Sequence, residues 1–466
     1  MWFFPLCTSI LLIASIYTPI VVYFSFIPLF FFLSKNRKNY LWIYLGILPF
    51  LLFVYFGVFQ AVHNYAGISF IFSIILLFLL STYHALYILA FSFTYKRLNI
   101  FLAPFAWIFF EFIRNNLLGG LPIIDTSKLI HLLPFVQWSS LFGSYFLSFC
   151  VILINVVFFC FLHRKRFVYL FSGVFLLVFL FVGGKFMMND TKGKVNVCVI
   201  QGNIPQDEKW QEKLFKRNIN IHFNLIEKTK NADLVVCSET VYPYLFTGYF
   251  PYFIKKPLIF GAITKKNDNI YNSAIEIFPQ KNFFQYDKHK LVPFGEFTPF
   301  HSLANHIPLI KKFTKGIKDY SKGTESIPFV AGSHKLGVLI CYELEFETLL
   351  RKWMKRDVDG IVIISNDAWY KGSALPYILY RTSIVKAVEN RTWIIRCANT
   401  GISCIVDPYG RVVARIPWEE RKTLCYSSLS KNKKSVYLKG GYLFIYLSVL
   451  FFIAWSLLFI FIDRKA

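Results

Sequence analysis

The hydrophobicity of this chain is split along its length. Before residue 185 it is dominated by Phe, Leu, Ile and Val runs, residues 185–441 read like a water-soluble domain, and one further apolar run follows. A helix crossing a ~30 Å hydrocarbon layer needs about 20 apolar residues, because backbone groups left facing lipid find no water to bond. The stretches 40–59, 68–93, 101–118, 138–162, 167–184 and 442–462 meet that requirement. Residues 1–33 are apolar as well. Pro19 separates them into two short spans, since proline costs about 3 kcal/mol inside a helix. Eight spans result, about seven in a membrane domain of residues 1–184 and one in 442–466. With 56% hydrophobic residues, 20% aromatic residues and a mean hydropathy of +0.49, the composition exceeds what one soluble globule needs. No basic segment precedes the first apolar run and no small-residue cleavage site closes it, which argues against a removable leader.

Basic residues in short loops set the orientation. Lys35-Asn36-Arg37-Lys38, Lys96-Arg97, Arg164-Lys165-Arg166 and Arg464-Lys465 all fall on one side of an eight-span layout, whereas the alternate loops around His63 and Asp125 carry only Lys128. The rule assigns the basic side to the cytoplasm and residues 185–441 to the outside. That domain has 39 Lys and Arg against 23 Asp and Glu, +16 of the net +25. Nucleic acid is one partner for such a charge. A domain tethered to a membrane at both ends fits anionic lipid headgroups better, and a solvated basic face is the plain alternative.

The nine cysteines include no CxxC or Cys/His pair with metal-ligand spacing, so no metal is expected. Six of them, Cys198, Cys237, Cys341, Cys397, Cys404 and Cys425, lie in the soluble domain, an even count that permits disulfides in an oxidising compartment, but most fall within apolar runs and core thiols are the better expectation. Runs at 195–200, 234–237, 258–263, 336–340, 360–364, 393–397 and 403–406 predict strands buried on both faces. Helical stretches at 208–230, 346–355 and 375–389 alternate with them, which predicts a layered α/β domain. A turn-rich stretch at 311–324 is expected as a loop.

Three reactive residues stand where those strands end or just beyond. Glu239 follows Leu-Val-Val-Cys-Ser, Lys288 lies in Tyr286-Asp287-Lys288-His289-Lys290, and Cys341 follows Leu-Gly-Val-Leu-Ile. A thiol attacks as the thiolate, so it needs a base to take its proton and a cation to hold the charge. Glu239 and Lys288 supply them. Taken singly, a Cys after an apolar strand is a core residue and a Lys or Glu at a strand end is a solvated group. In this order, Glu239, Lys288-His-Lys-Leu-Val-Pro-Phe-Gly-Glu296 and Ile340-Cys341-Tyr342-Glu343 resemble the signature segments of the nitrilase superfamily.

With Val199-Ile-Gln-Gly-Asn-Ile-Pro-Gln206, Trp210, Ser365-Asn-Asp-Ala-Trp369 and the apolar spans added, nearly the whole chain resembles the apolipoprotein N-acyltransferase family, the membrane-embedded branch of that superfamily. The resemblance implies a nitrilase-like α-β-β-α sandwich at 185–441 on a multi-span helical membrane domain, in a bacterial inner membrane with the catalytic domain periplasmic. It implies a monomer without cofactor. Its substrates would be a phospholipid acyl donor and a diacylglyceryl-modified lipoprotein acceptor. Cys341 would attack the donor ester while Glu239 takes its proton and Lys288, with backbone N–H groups, stabilises the oxyanion; the amine would then discharge the thioester. Glu343 either orients Lys288 or Glu239 or forms a structural salt bridge, and Glu296 stands likewise. Tyr342 and Trp210 line an acyl or headgroup pocket or belong to an aromatic core. The family often has Pro before the catalytic glutamate; this chain has Ser238.

Two other readings use the same features. A membrane-anchored amidase would employ the same three residues with water as second nucleophile, but a soluble amide gives no reason to hold the site at lipid. A transporter or scaffold needs polar groups along its spans, which carry chiefly Glu111 and Arg114, one turn apart.

Overall fold

The computed structural model describes residues 3–463 except 36–38, 66, 96–98, 131, 251, 253, 281, 294, 298–318 and 432. Most of the expected loop at 311–324 and the basic residues Arg37, Lys38, Lys96, Arg97, Arg464 and Lys465 lie outside the described residues.

Numbering only the longer helices, the apolar part contains α1 (Phe3–Tyr17), α2 (Ile27–Lys35), α3 (Tyr40–Gln60), α4 (Phe70–Tyr95), α5 (Ala103–Asn116), α6 (Ser144–Arg164) and α7 (Phe167–Phe186). The third continues through a wider turn to Tyr65, and Tyr40–Tyr65, Phe70–Tyr95, Ser144–Arg164 and Phe167–Phe186 are each long and apolar enough to cross a membrane. Phe3–Tyr17, Pro19–Lys35 and Leu443–Leu458 are shorter apolar helices. The break expected at Pro19 is real, and Asn155 of α6 satisfies it: its amide donates to Val22 O (3.0 Å) and its carbonyl accepts from Phe26 N (2.9 Å). Without that side chain the Phe26 amide would lose this partner, and an unsatisfied backbone group costs several kcal/mol in lipid. The span expected from 138 begins only at Ser144, after Gly143 takes φ 84°.

Helices α1 and α3 run parallel. A Cβ on Gly46 would overlap Pro5 near their starts, while at their far ends Tyr17 meets Tyr377 and Gly57 meets Ser373. The soluble domain therefore sits on the C-terminal ends of both.

All seven expected strands form. They belong to two sheets, ordered β13-β1-β2-β4-β5-β6 with β3 beside β4, and β12-β11-β10-β9-β8-β7. The first contains β1 (Val195–Gln201), β2 (Leu234–Cys237), β3 (Tyr242–Phe246), β4 (Leu258–Lys266), β5 (Asn269–Ile277), β6 (Phe283–Asp287) and β13 (Lys422–Ser428). The second contains β7 (Phe329–Ala331), β8 (His334–Ile340), β9 (Gly360–Ser365), β10 (Trp393–Ala398), β11 (Ser403–Val406) and β12 (Val412–Ile416). Val197, Val199 and Val236 of one sheet share a core with Val338, Ile363 and Ile395 of the other. Helix α8 (Glu212–Ile226) packs Leu225 against Cys198 and Ile200 on one outer face. On the other side lie α9 (Glu347–Met354) and α10 (Leu375–Asn390), giving four layers, before α11 (Leu443–Asp463). The helix expected over 208–230 is broken, with a separate turn at Gln206–Lys209.

The cysteine expectation needs correction at one pair. Cys198 and Cys425 face each other across the antiparallel β1/β13 ladder, Cα to Cα 4.0 Å, and form a disulfide. They are 227 residues apart, and β13 is exposed or half-buried at every position but its last, so its apolar run is too weak to reveal the pairing.

Candidate active site

Strand geometry brings the three expected residues together. Strand β2 lies parallel between β1 and β4, so its end projects Ser238-Glu239-Thr240 beyond the sheet. Thr240 turns there with φ 49°, and Gly261 of β4 leaves room: a Cβ on it would overlap the Thr240 amide. Lys288 follows β6, its amide donating to Asn272 O at 2.9 Å. Cys341 follows β8 with φ 54°, a left-handed conformation that a non-glycine residue holds only where the surroundings enforce it. This sharp turn lifts the thiol off the strand end.

Lys288 is 1% exposed and donates to Glu296 Oε1 at 2.8 Å and to Glu239 Oε1 at 3.3 Å. Asn272 Nδ2 donates to the same two oxygens, at 2.7 Å each. Glu239 Oε2 accepts from the Asn366 amide at 2.9 Å, and Glu296 Oε2 from the Val292 amide at 2.9 Å. Burial pushes the Glu239 carboxyl up, but Lys288, Asn272 and Lys209 outweigh it and hold the group below the ordinary carboxylate range. Burial likewise opposes the charge on Lys288, and Glu239, Glu296 and Cys341 outweigh it, so Lys288 stays protonated. The Cys341 thiol is pushed up to about 12, first by burial and then by the Glu239 charge. The arrangement is a resting thiol beside an ionised carboxylate and a fixed ammonium.

Glu343 makes no salt bridge among the described residues. Its carboxylate accepts from Tyr286 Oη (2.9 Å), the Ile340 amide (2.8 Å), the His289 amide (2.6 Å) and the Lys290 amide (3.0 Å). It thus clamps the segment after Lys288 onto the turn that carries Cys341. Tyr342 packs edge-on against Phe346, centroids 4.9 Å apart. Trp210 is 37% exposed.

A carbon-nitrogen hydrolase family model matches residues 255–431, and a model of the apolipoprotein N-acyltransferase N-terminal domain matches residues 8–157. An apolipoprotein N-acyltransferase of Rickettsia prowazekii is 33% identical over 344 residues, 67% of each chain. The chain belongs to the apolipoprotein N-acyltransferase family. A Geobacter metallireducens apolipoprotein N-acyltransferase is 31% identical, covering 76% of this chain and 74% of its own, and one of Pasteurella multocida is 29% identical over 89% and 86%. Among solved structures, a CN-hydrolase superfamily protein of Xanthomonas campestris aligns with 52% of this chain and 92% of its own, at 18% identity and TM-score 0.37.

In this N-acyltransferase-family chain the structure adds residues that sequence reasoning passed over. Lys209, beside Trp210, is 6% exposed and donates to the Glu239 backbone carbonyl at 2.7 Å. Burial pushes its ammonium down to about 8 against the pull of Glu239 and Cys341. Asn366 donates to Gln206 (2.7 Å) and accepts from Asn399 (3.0 Å), which fixes the amide that holds Glu239. Nothing in the local pattern marks these residues; the signal available was that Gln206, Lys209 and Asn366 fall in or beside the segments that carry the family resemblance.

Proposed function

We propose that this protein transfers a fatty acyl chain from a membrane phospholipid to the α-amino group of a diacylglyceryl-cysteine at a lipoprotein N-terminus. Glu239 takes the Cys341 proton as the sulfur attacks the ester carbonyl, and Lys288 stabilises the tetrahedral oxyanion. The carbon–oxygen bond breaks, the lysophospholipid oxygen leaves with the proton from Glu239, and a thioester remains. The lipoprotein amine then attacks that thioester, Glu239 accepts its proton, and the carbon–sulfur bond breaks to return the thiol. Glu296, Glu343 and Lys209 position these groups.

The observation that carries this reading is the site's placement: the turn bearing Cys341 is docked directly on the apolar helices. Four residues past the nucleophile, Glu345 pairs with Lys128 of the α5–α6 connection, and Ser373 and Leu375 meet Gly57 of α3. A thiol held there meets acyl esters more readily than dissolved amides.

We also assign the chain to a bacterial inner membrane as a monomer, with residues 1–184 and 442–466 crossing it and 185–441 outside. Two things support that orientation. The described basic residues Lys35 and Arg164 end helices α2 and α6, whose opposite ends lie toward the catalytic domain. The Cys198–Cys425 disulfide suits an oxidising compartment.

The test is mass spectrometry of the purified protein exposed to phospholipid without acceptor. One acyl adduct on Cys341 is expected, long-lived in buffer and discharged by a diacylglyceryl-cysteine peptide. Cys341→Ala should carry none, whereas Cys237→Ser and Cys397→Ser should acylate normally. Rapid release of free fatty acid, unchanged by the peptide, would favour the amidase-like hydrolase.

A further inference from the structure

Three arginines among the described residues are more than nine-tenths buried: Arg114 (3% exposed), Arg381 (6%) and Arg396 (0%). Arg114 pairs with Asp125, and Arg396 with Asp367 at 2.7 Å. Arg381 makes no hydrogen bond or ion pair among the described residues, and its Nη1 is closed off from solvent. An ion left unpaired in such a setting is strongly unfavourable, so a partner from outside the chain is called for.

Its surroundings say which partner. Arg381 lies on α10, one turn past Tyr377, and Tyr377 meets Tyr17 at the end of α1 edge-on, centroids 6.1 Å apart. Tyr377 also stacks on Trp418, centroids 6.0 Å apart. Tyr17 is 56% exposed and Ile20 beyond it 47%, so this seam opens on the flank of the apolar helices. Tyr and Trp collect at the depth of lipid headgroups, where ring and hydroxyl each find their preferred medium. Burial pushes the guanidinium down to about 10, opposed only by the phenols of Tyr380 and Tyr17. No carboxylate contributes.

We infer that Arg381, with Tyr17 and Tyr377, binds the phosphate of a membrane phospholipid at the seam between α1 and α10, apart from the Cys341 site. The Nε–Nη2 edge of the guanidinium, which unlike Nη1 is not closed off, presents parallel N–H donors that match two phosphate oxygens, and the Tyr17 hydroxyl adds a third donor. The lipid's chains would lie along the exposed side of α1. This inference rests on the reading that the catalytic domain sits at a bilayer surface, and it concerns retained lipid rather than lipid consumed by the reaction.

The test uses full-length protein in detergent, native mass spectrometry, and an ether-linked phosphatidylglycerol, which has no ester to transfer. The wild type should retain one such lipid with an apparent affinity about tenfold above that of Arg381→Gln. Arg381→Lys, which keeps the charge and loses the fork, should fall between them and guards against a folding defect. Inorganic phosphate at the lipid's concentration should leave the adduct in place. Equal retention by wild type and Arg381→Gln overturns the inference, and displacement of the lipid by equimolar phosphate overturns its lipid half. Acylation of Cys341 by an ester lipid is scored separately: if it fails while Arg381-dependent retention persists, this inference stands and the acyl-transfer reading falls.

Discussion

At the scale of single residues, the chemistry turns on one proton. The Cys341 thiol, pushed up to about 12 chiefly by burial, is protonated at neutral pH, so the proposed attack needs a base as the bond forms, and Glu239 is the proposed one. General-base help is worth ~10²–10⁴-fold, and Glu239→Gln should lose that much in thioester formation and again in discharge, each timed alone. An effect confined to one half-reaction would remove Glu239 from the other. Lys209 gives a second measurement. Its folded-state value of about 8, lowered chiefly by burial, lies below the ordinary lysine value. Between those values the unfolded chain binds more protons than the folded one, so stability rises with pH through that window. Relative to Lys209→Met, the wild type should gain up to about 1.4 kcal/mol per pH unit from pH 8 to 10, read from thermal midpoints. Parallel curves would show that Lys209 does not titrate there. Glu239 and Cys341 were legible in sequence because strand ends announce them, and Lys288 because of motif order. Lys209 was not, since only packing turns a lysine in a stretch of mixed charge into a buried donor. Glu343 was half legible: its neighbourhood was foreseen, but backbone amides hold it and no cation does.

Among elements, the link between the membrane helices and the Cys341 turn is ionic and buried. Lys128 pairs with Glu345 and, at 3.4 Å, with Asp125, which in turn meets Arg114 of α5; Arg114 also contacts His84 of α4 at 2.8 Å. The Glu111–Arg114 pair expected from sequence is present but long, at 3.9 Å, because Arg114 turns mainly to Asp125. Removing one partner of a buried pair costs about 3–5 kcal/mol by stranding the other charge. Lys128→Glu and Glu345→Lys should each lower the thermal midpoint and the rate of Cys341 acylation, and the double reversal should recover part of both. No recovery in the double variant would mean that the two groups act separately. Apolar runs revealed the seven strands buried on both faces. They hid β3, β5, β6, β7, β12 and β13, which are short or carry half-exposed or polar positions that give no continuous run, and for the same reason they hid the Cys198–Cys425 bridge.

On the scale of the whole molecule, orientation is the property everything else depends on, because acyl esters and lipoprotein termini must reach the same face. Helices α1 and α3 end against the soluble domain at Tyr17 and Gly57, and α6 begins against it, where the Ser144 amide donates to Glu389 at 2.6 Å. α7 leads into the domain through Phe186, and α11 leaves it at Leu443. With ends alternating in this way, the proposed layout puts the starts of α1 and α3 on the side opposite the domain. The two short helices α1 and α2 were legible from Pro19, whereas the Asn155 side chain that satisfies the break between them was not. In the proposed layout a reporter fused after Ala466 should read as cytoplasmic. A cysteine introduced at Lys266, which is exposed near the end of β4, should react with an impermeant maleimide added to intact spheroplasts, in a background where the other accessible thiols are blocked. Adding one apolar span ahead of Met1 should leave that labelling unchanged, because the count between the domain and its flanking helices is untouched. Labelling of Lys266→Cys only after the membrane is opened would invert the layout, and with it the side on which lipoproteins are acylated.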